Sequence, residues 1–168
     1  MRMKYITLII FLVSLVSCQF RRAREFKVFL DSAERKVYRT LVGDSLEDIR
    51  LKALIEMKSD EAFFIGKRQA NELSNVIKEI ENTDVNDIKE AKALKLAVIN
   101  YYQGLLDLKN VDILEAELMR ADKEKARKAE IETFNLPRKR LQIHRTVRQR
   151  EEAMHRARLR FEKVNDIP

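Results

Sequence analysis

The chain has little of what ends or bends a backbone: three glycines, two prolines and no tryptophan in 168 residues. Few tight turns can be built from that material, so few elements can be joined. Gly43, Gly66 and Gly104 each stand alone, which excludes the glycine-rich loops that cradle phosphate. The only cysteine, Cys18, excludes an internal disulfide and any zinc site built on thiolates. No alternating apolar–polar run marks a strand. What is present is 45% apolar and 36% charged residues, a balance that fits long amphipathic helices rather than disorder or a membrane bundle. The length suits one ordinary domain.

The N-terminus carries the most specific signal. Met1 to Lys4 holds two positive charges, and Tyr5 to Val16 is an almost unbroken apolar run of 12 residues. As a helix it spans about 18 Å, well short of a bilayer core, and Arg21, Arg22 and Arg24 close it off. That pattern predicts an export signal rather than a retained membrane helix.

Leu15-Val16-Ser17-Cys18 resembles the lipobox of bacterial lipoproteins: an aliphatic residue three places before the cysteine, a small residue just before it, then the cysteine. The resemblance implies that residues 1–17 are removed by cleavage after Ser17. It also implies a diacylglyceryl thioether on Cys18, usually with a further acyl chain on the new amine. A single acyl chain holds a protein to a membrane only weakly, whereas two or three make release negligible. The covalent lipid is the only non-protein group expected. Gln19 occupies the second mature position, where some lipoproteins carry an Asp that retains them in the inner membrane. No acidic run follows, so the expectation is an outer-membrane anchor facing the periplasm.

Past a lipidated tether over residues 18–25, the expectation is an all-α domain over residues 26–168. Phe26, Phe29, Ala33, Val37 and Leu41 step by three or four, with Gly43 as a stop. Ser45 with Asp48 resembles a capping box ahead of a stripe through Leu46, Ile49, Ala53, Met57, Phe64, Leu73 and Ile80. Whether residues 45–81 form one helix or bend between Ser59 and Gly66 stays open. Asp84 is predicted to cap a helix running to about Lys109, apolar on more than one face and therefore central. Asp112 and Glu115 are read as a further capping box. Pro137 either opens the last helix or kinks a longer one.

Ile143, Val147, Met154, Ala157, Phe161 and Val164 then form a heptad seam if Arg150 fills the missing place. Short connections favour an antiparallel up-and-down bundle of about four long helices. The chain also loosely resembles small helical envelope lipoproteins of unassigned function, in its Ala/Leu-rich stretch Ala93–Leu108 and its end Ala157–Lys163. That resemblance implies location and fold alone.

Charge is distributed unevenly. Residues 18–136 hold 22 Lys/Arg against 23 Asp/Glu, whereas residues 137–163 hold 10 against 3. One reading is an anion-binding strip, with Arg145, Arg148, Arg156 and Arg160 as candidate residues facing anionic lipid or an acidic envelope protein. The other is a solvated face whose arginines pair with acids such as Glu115 and Glu117. Nucleic acid is not an expected partner of an exported protein.

A metal site is not expected. His144 and His155 lie 11 residues apart, about 16 Å along a helix, too far to share an ion. Glu152-Ala-Met-His155 matches half of a di-iron bundle element, but position 141, three before His144, is Leu. No catalytic constellation is evident, and Tyr101-Tyr102 reads as core, with a ligand pocket as the rival reading. The expected function is therefore a non-enzymatic binding or structural module, with a holdase-like periplasmic chaperone as the alternative.

Overall fold

Sparse breakers and strong periodicity leave the chain helical nearly throughout. The computed structural model describes the backbone of residues 2–43, 46–120 and 126–167, and the side chains of 19–43, 46–120 and 134–167. Helix α1 (Arg2–Tyr38) ends in a π-helical turn (Arg39–Gly43), followed by the short α2 (Leu46–Ile55). Three long helices complete the fold: α3 (Ser59–Glu81), α4 (Ala91–Met119) and α5 (Ala126–Val164). Among the described residues there is no strand, and the protein is an all-α helical bundle.

Cross-helix contacts fix the topology. Lys36 meets Glu79 and Thr40 meets Glu72, so α1 and α3 are antiparallel. Lys95 at the start of α4 donates to the carbonyls of Glu81 and Thr83, and Gly66 near the start of α3 abuts Ile113. Just before α4 and just after α5, Asn165 donates to the Lys89 carbonyl, while Asp112 of α4 faces Arg140 of α5. Thus α1 and α4 run one way, α3 and α5 the other. The foot of the bundle gathers α1 around Gln19 and Arg22, the loop 82–90 and the end of α5. The head gathers α2, the start of α3 and the end of α4.

Two glycines let the helices approach closely. A Cβ on Gly104 would lie 2.9 Å from Val147 of α5, and one on Gly66 would lie 3.0 Å from Ile113 of α4. Helix α4 lies between α3 and α5, with Leu94, Val98, Tyr102 and Val111 fully enclosed. The stretch read as central is central. Around it pack Phe26, Leu30, Leu73, Ile80 and Phe161, with Phe26 and Phe161 edge to face at 5.8 Å.

Several boundaries differ from expectation. Residues 19–25, read as part of a tether, are helical, and Ala23 is already buried. The open question over 45–81 resolves as two helices, broken at residues 56–58, before the stretch that was considered. Lys58 N donates to Ala53 O and Met57 N to Leu54 O, closing α2 with Met57 at φ 59° where glycine is usual. That turn resets the phase, so Met57 and Phe64 point outward, whereas Ala53, Leu73 and Ile80 of the expected stripe are buried, joined on α3 by Ala62 and Gln69.

Asp84 does not cap α4. Its carboxylate accepts from Asn86 N within the loop, and the helix starts at Ala91. Nor do Asp112 and Glu115 open a new helix; α4 runs through both to Met119, and their carboxylates are held by arginines. Ser45 lies outside the described residues. Pro137 sits inside a continuous α5. In the heptad seam Val147, Ala157 and Phe161 are buried and Met154 is half-buried, but Val164 is exposed and Asn165 takes its place.

Candidate functional site

Helix α5 presents its charges on two sides, and the bundle treats them differently. On the inward flank, Arg140 Nη2 donates to Asp112 and Glu115 at 2.9 Å each. Arg150 donates to the Asn100 carbonyl at 3.2 Å and lies 3.7 Å from Asp107. Arg158 donates to Glu34 at 2.7 Å. Burial alone would lower the Arg140 and Arg158 pKa values, but the hydrogen bonds and charges of these carboxylates outweigh it and raise them.

On the outward side lie the four arginines predicted from sequence, all exposed. Arg148 and Arg156 approach only Glu152 of their own helix, at 3.7 and 4.0 Å. Arg145 and Arg160 have no ion-pair partner among the described residues. Glu115 does pair with an arginine of α5, but with Arg140 and not with the four candidates.

The sequence reading missed a charged cluster at the head. Arg50 of α2, with only 4% of its side chain exposed, donates to Glu47 at 2.6 Å and faces Asp112 at 3.6 Å and Glu115 at 3.8 Å. Lys109 bridges Glu47 and Asp112, at 2.8 Å to each, and Arg140 closes the ring. Burial would raise the Glu47 pKa, but hydrogen bonds from Arg50 and Lys109 prevail and bring it down to about 2. Three bases balance three acids, so the cluster ties α2, α4 and α5 together and leaves no net charge for a ligand. The spacing Lys109, Asp112, Glu115 on one face of α4 carried the signal, but was absorbed by the capping-box reading.

The lipid attachment at Cys18 and the cleavage point after Ser17 lie outside the residues whose side chains are described. What is described is their surroundings. Gln19 donates to the Asp87 carbonyl at 3.1 Å and Arg22 to its carboxylate at 2.9 Å, so the residue directly after Cys18 already contacts the 82–90 loop.

His144 and His155 are exposed, and no group of three or more His, Cys, Asp or Glu among the described residues is placed to hold a metal ion. Tyr102 is buried in the core, where burial, with help from Glu34, pushes its pKa up; Tyr101 is half-buried beside it. Two open cavities of about 500 Å³ occur, one along Asp31, Glu34 and Tyr38, the other between the 81–86 loop and Lys92, Lys95 and Leu96. Neither gathers a nucleophile with a base. No helix among the described residues is long and apolar enough to cross a membrane.

Comparison with family models, curated proteins and solved structures finds no match to this chain.

Proposed function

We propose that this chain is a lipid-anchored, non-enzymatic envelope protein that binds another envelope component through a helix face. The reading places its anchor at Cys18, in the outer membrane and facing the periplasm. The observation that carries the binding role is the outward side of α5, where arginines stand exposed without cross-helix acids while their inward neighbours are all paired. The lipobox-like Leu15–Cys18 supports the anchor, and the contacts of Gln19 and Arg22 with Asp87 support a short, stiff link to it.

The anchor is tested by metabolic labelling with a fatty-acid analogue. Label on the wild type that is lost in Cys18→Ser supports it; label retained in the mutant overturns it.

The holdase alternative draws on exposed apolar residues at the head, Ile55, Met57 and Phe64. Suppression of aggregation of an unfolded outer-membrane protein at stoichiometric ratios, lost on Ile55→Ser with Phe64→Ser, would favour it over the contact module.

A further inference from the structure

The outward side of α5 carries a second seam, opposite the one that packs into the bundle. Starting at Phe134, steps of four and three residues pass through Arg138, Leu141, Arg145, Arg148 and Glu152. The same spacing continues to Arg156, Leu159 and Lys163. Phe134 is 82% exposed, and Leu141 and Leu159 are each 53% exposed. The stripe runs for about 44 Å along one helix. It holds five cations against one carboxylate, Glu152.

We infer that this stripe docks an acidic, leucine-bearing helix of a partner protein, laid lengthwise along α5. The steps of four and three, with two successive fours at Glu152, average the helical period of about 3.6, so the stripe keeps to one line of a straight helix over which a second helix can lie. Charge complementarity names the partner's sign. A second copy of this chain would set arginine against arginine, so self-pairing through the stripe is disfavoured.

The protein's own membrane is a poorer occupant, and this step rests on the anchor proposed at Cys18. Phe26 packs on Phe161, and Lys27 lies 3.8 Å from Glu162, about 12 Å along α1 from Cys18. Helix α5 runs away from that level, so Arg148 and Arg145 stand about 32 and 36 Å from the anchor residue. Screening at physiological salt removes attraction beyond about 8 Å. The stripe's apolar residues are also too few for a helix lying in lipid, with Leu141 and Leu159 standing 18 positions apart and none of the stripe's positions between them apolar.

The test uses the full chain purified in mild detergent, alongside its Cys18→Ser form. The probe is a 28-residue synthetic helix with Leu and Glu alternating at steps of four and three. Its controls are a scrambled isomer, a Gln-for-Glu version, and phosphatidylglycerol-rich vesicles. The ordered acidic helix should bind at least tenfold more tightly than either control peptide. That binding should fall at least tenfold in Arg145→Glu/Arg148→Glu, and severalfold in Leu141→Asp, with helicity unchanged.

Equal binding of the scrambled isomer, or no binding of the ordered helix, overturns the inference. So does tight vesicle binding that the two arginine reversals abolish. Loss of the fatty-acid label from the wild type would remove the anchor while leaving the peptide result standing, so the two proposals fail separately.

Discussion

Phe161 shows how much one residue contributes here. It is fully enclosed on the inward side of α5 and meets Phe26 of α1 edge to face. Truncation loses its buried area and leaves a cavity that the neighbouring helices only partly fill. Phe161→Ala should therefore cost about 3–5 kcal/mol and lower the melting temperature by many degrees. A melting temperature within 2–3 °C of wild type would show that the site collapses freely.

Glu47 makes a different prediction, in pH. Its folded pKa of about 2 lies below the ordinary value of 4.5, so its ion pairs contribute fully above pH 4.5. That contribution fades as pH falls toward 2. Glu47→Gln should be less stable at pH 7 and lose less on acidification than wild type, as read by chemical denaturation at pH 7, 4 and 3. Arg50, which would be left facing fewer acids, is why the neutral variant does not simply match wild type.

At the scale of elements, what was legible depended on whether a periodic run was interrupted. The seam of α5 could be read because nothing resets its phase between Ile143 and Phe161, and Arg150 does occupy the gap, facing α4. The stripe from Leu46 to Ile80 was legible at Ala53, Leu73 and Ile80 but not at Met57 and Phe64, because the turn at 56–58 carries no glycine or proline to announce it. Met57 takes the left-handed conformation that glycine usually supplies. The capping box read at Asp112 and Glu115 failed for another reason. An acid pair three residues apart on a helix face suits a helix start and a cross-helix arginine equally well, and only packing decides between them.

The Met57 turn can be tested directly. An L-residue at φ 59° is strained, and this side chain is 75% exposed, so little packing is lost by removing it. Met57→Gly should raise stability by about 1 kcal/mol, measured by chemical denaturation, whereas Met57→Val should lower it.

The whole molecule is a bundle with two unlike ends, and the proposed anchor gives that polarity a consequence. Gln19 and Arg22 already hold Asp87 at the foot of the bundle, so no flexible spacer separates Cys18 from it, and a lipid there would set the foot against the membrane. Lys163 lies near that foot on α5, and Lys139 lies near the head, 24 residues or about 36 Å away along the same helix. Both side chains are exposed, so either position can be replaced without disturbing the core. In the lipidated protein Cys18 carries the thioether, so a cysteine introduced at 163 or 139 would be the single free thiol.

With a fluorophore there and the protein in vesicles, a quencher carried on the lipid headgroups should dim Lys163→Cys strongly and Lys139→Cys hardly at all. Raising salt should leave the difference in place, because a covalent anchor and not charge sets the distance. Equal quenching at both positions would mean that the body lies along the surface. The basic stripe of α5 would then meet the membrane that holds it, and not a partner reaching in from solvent.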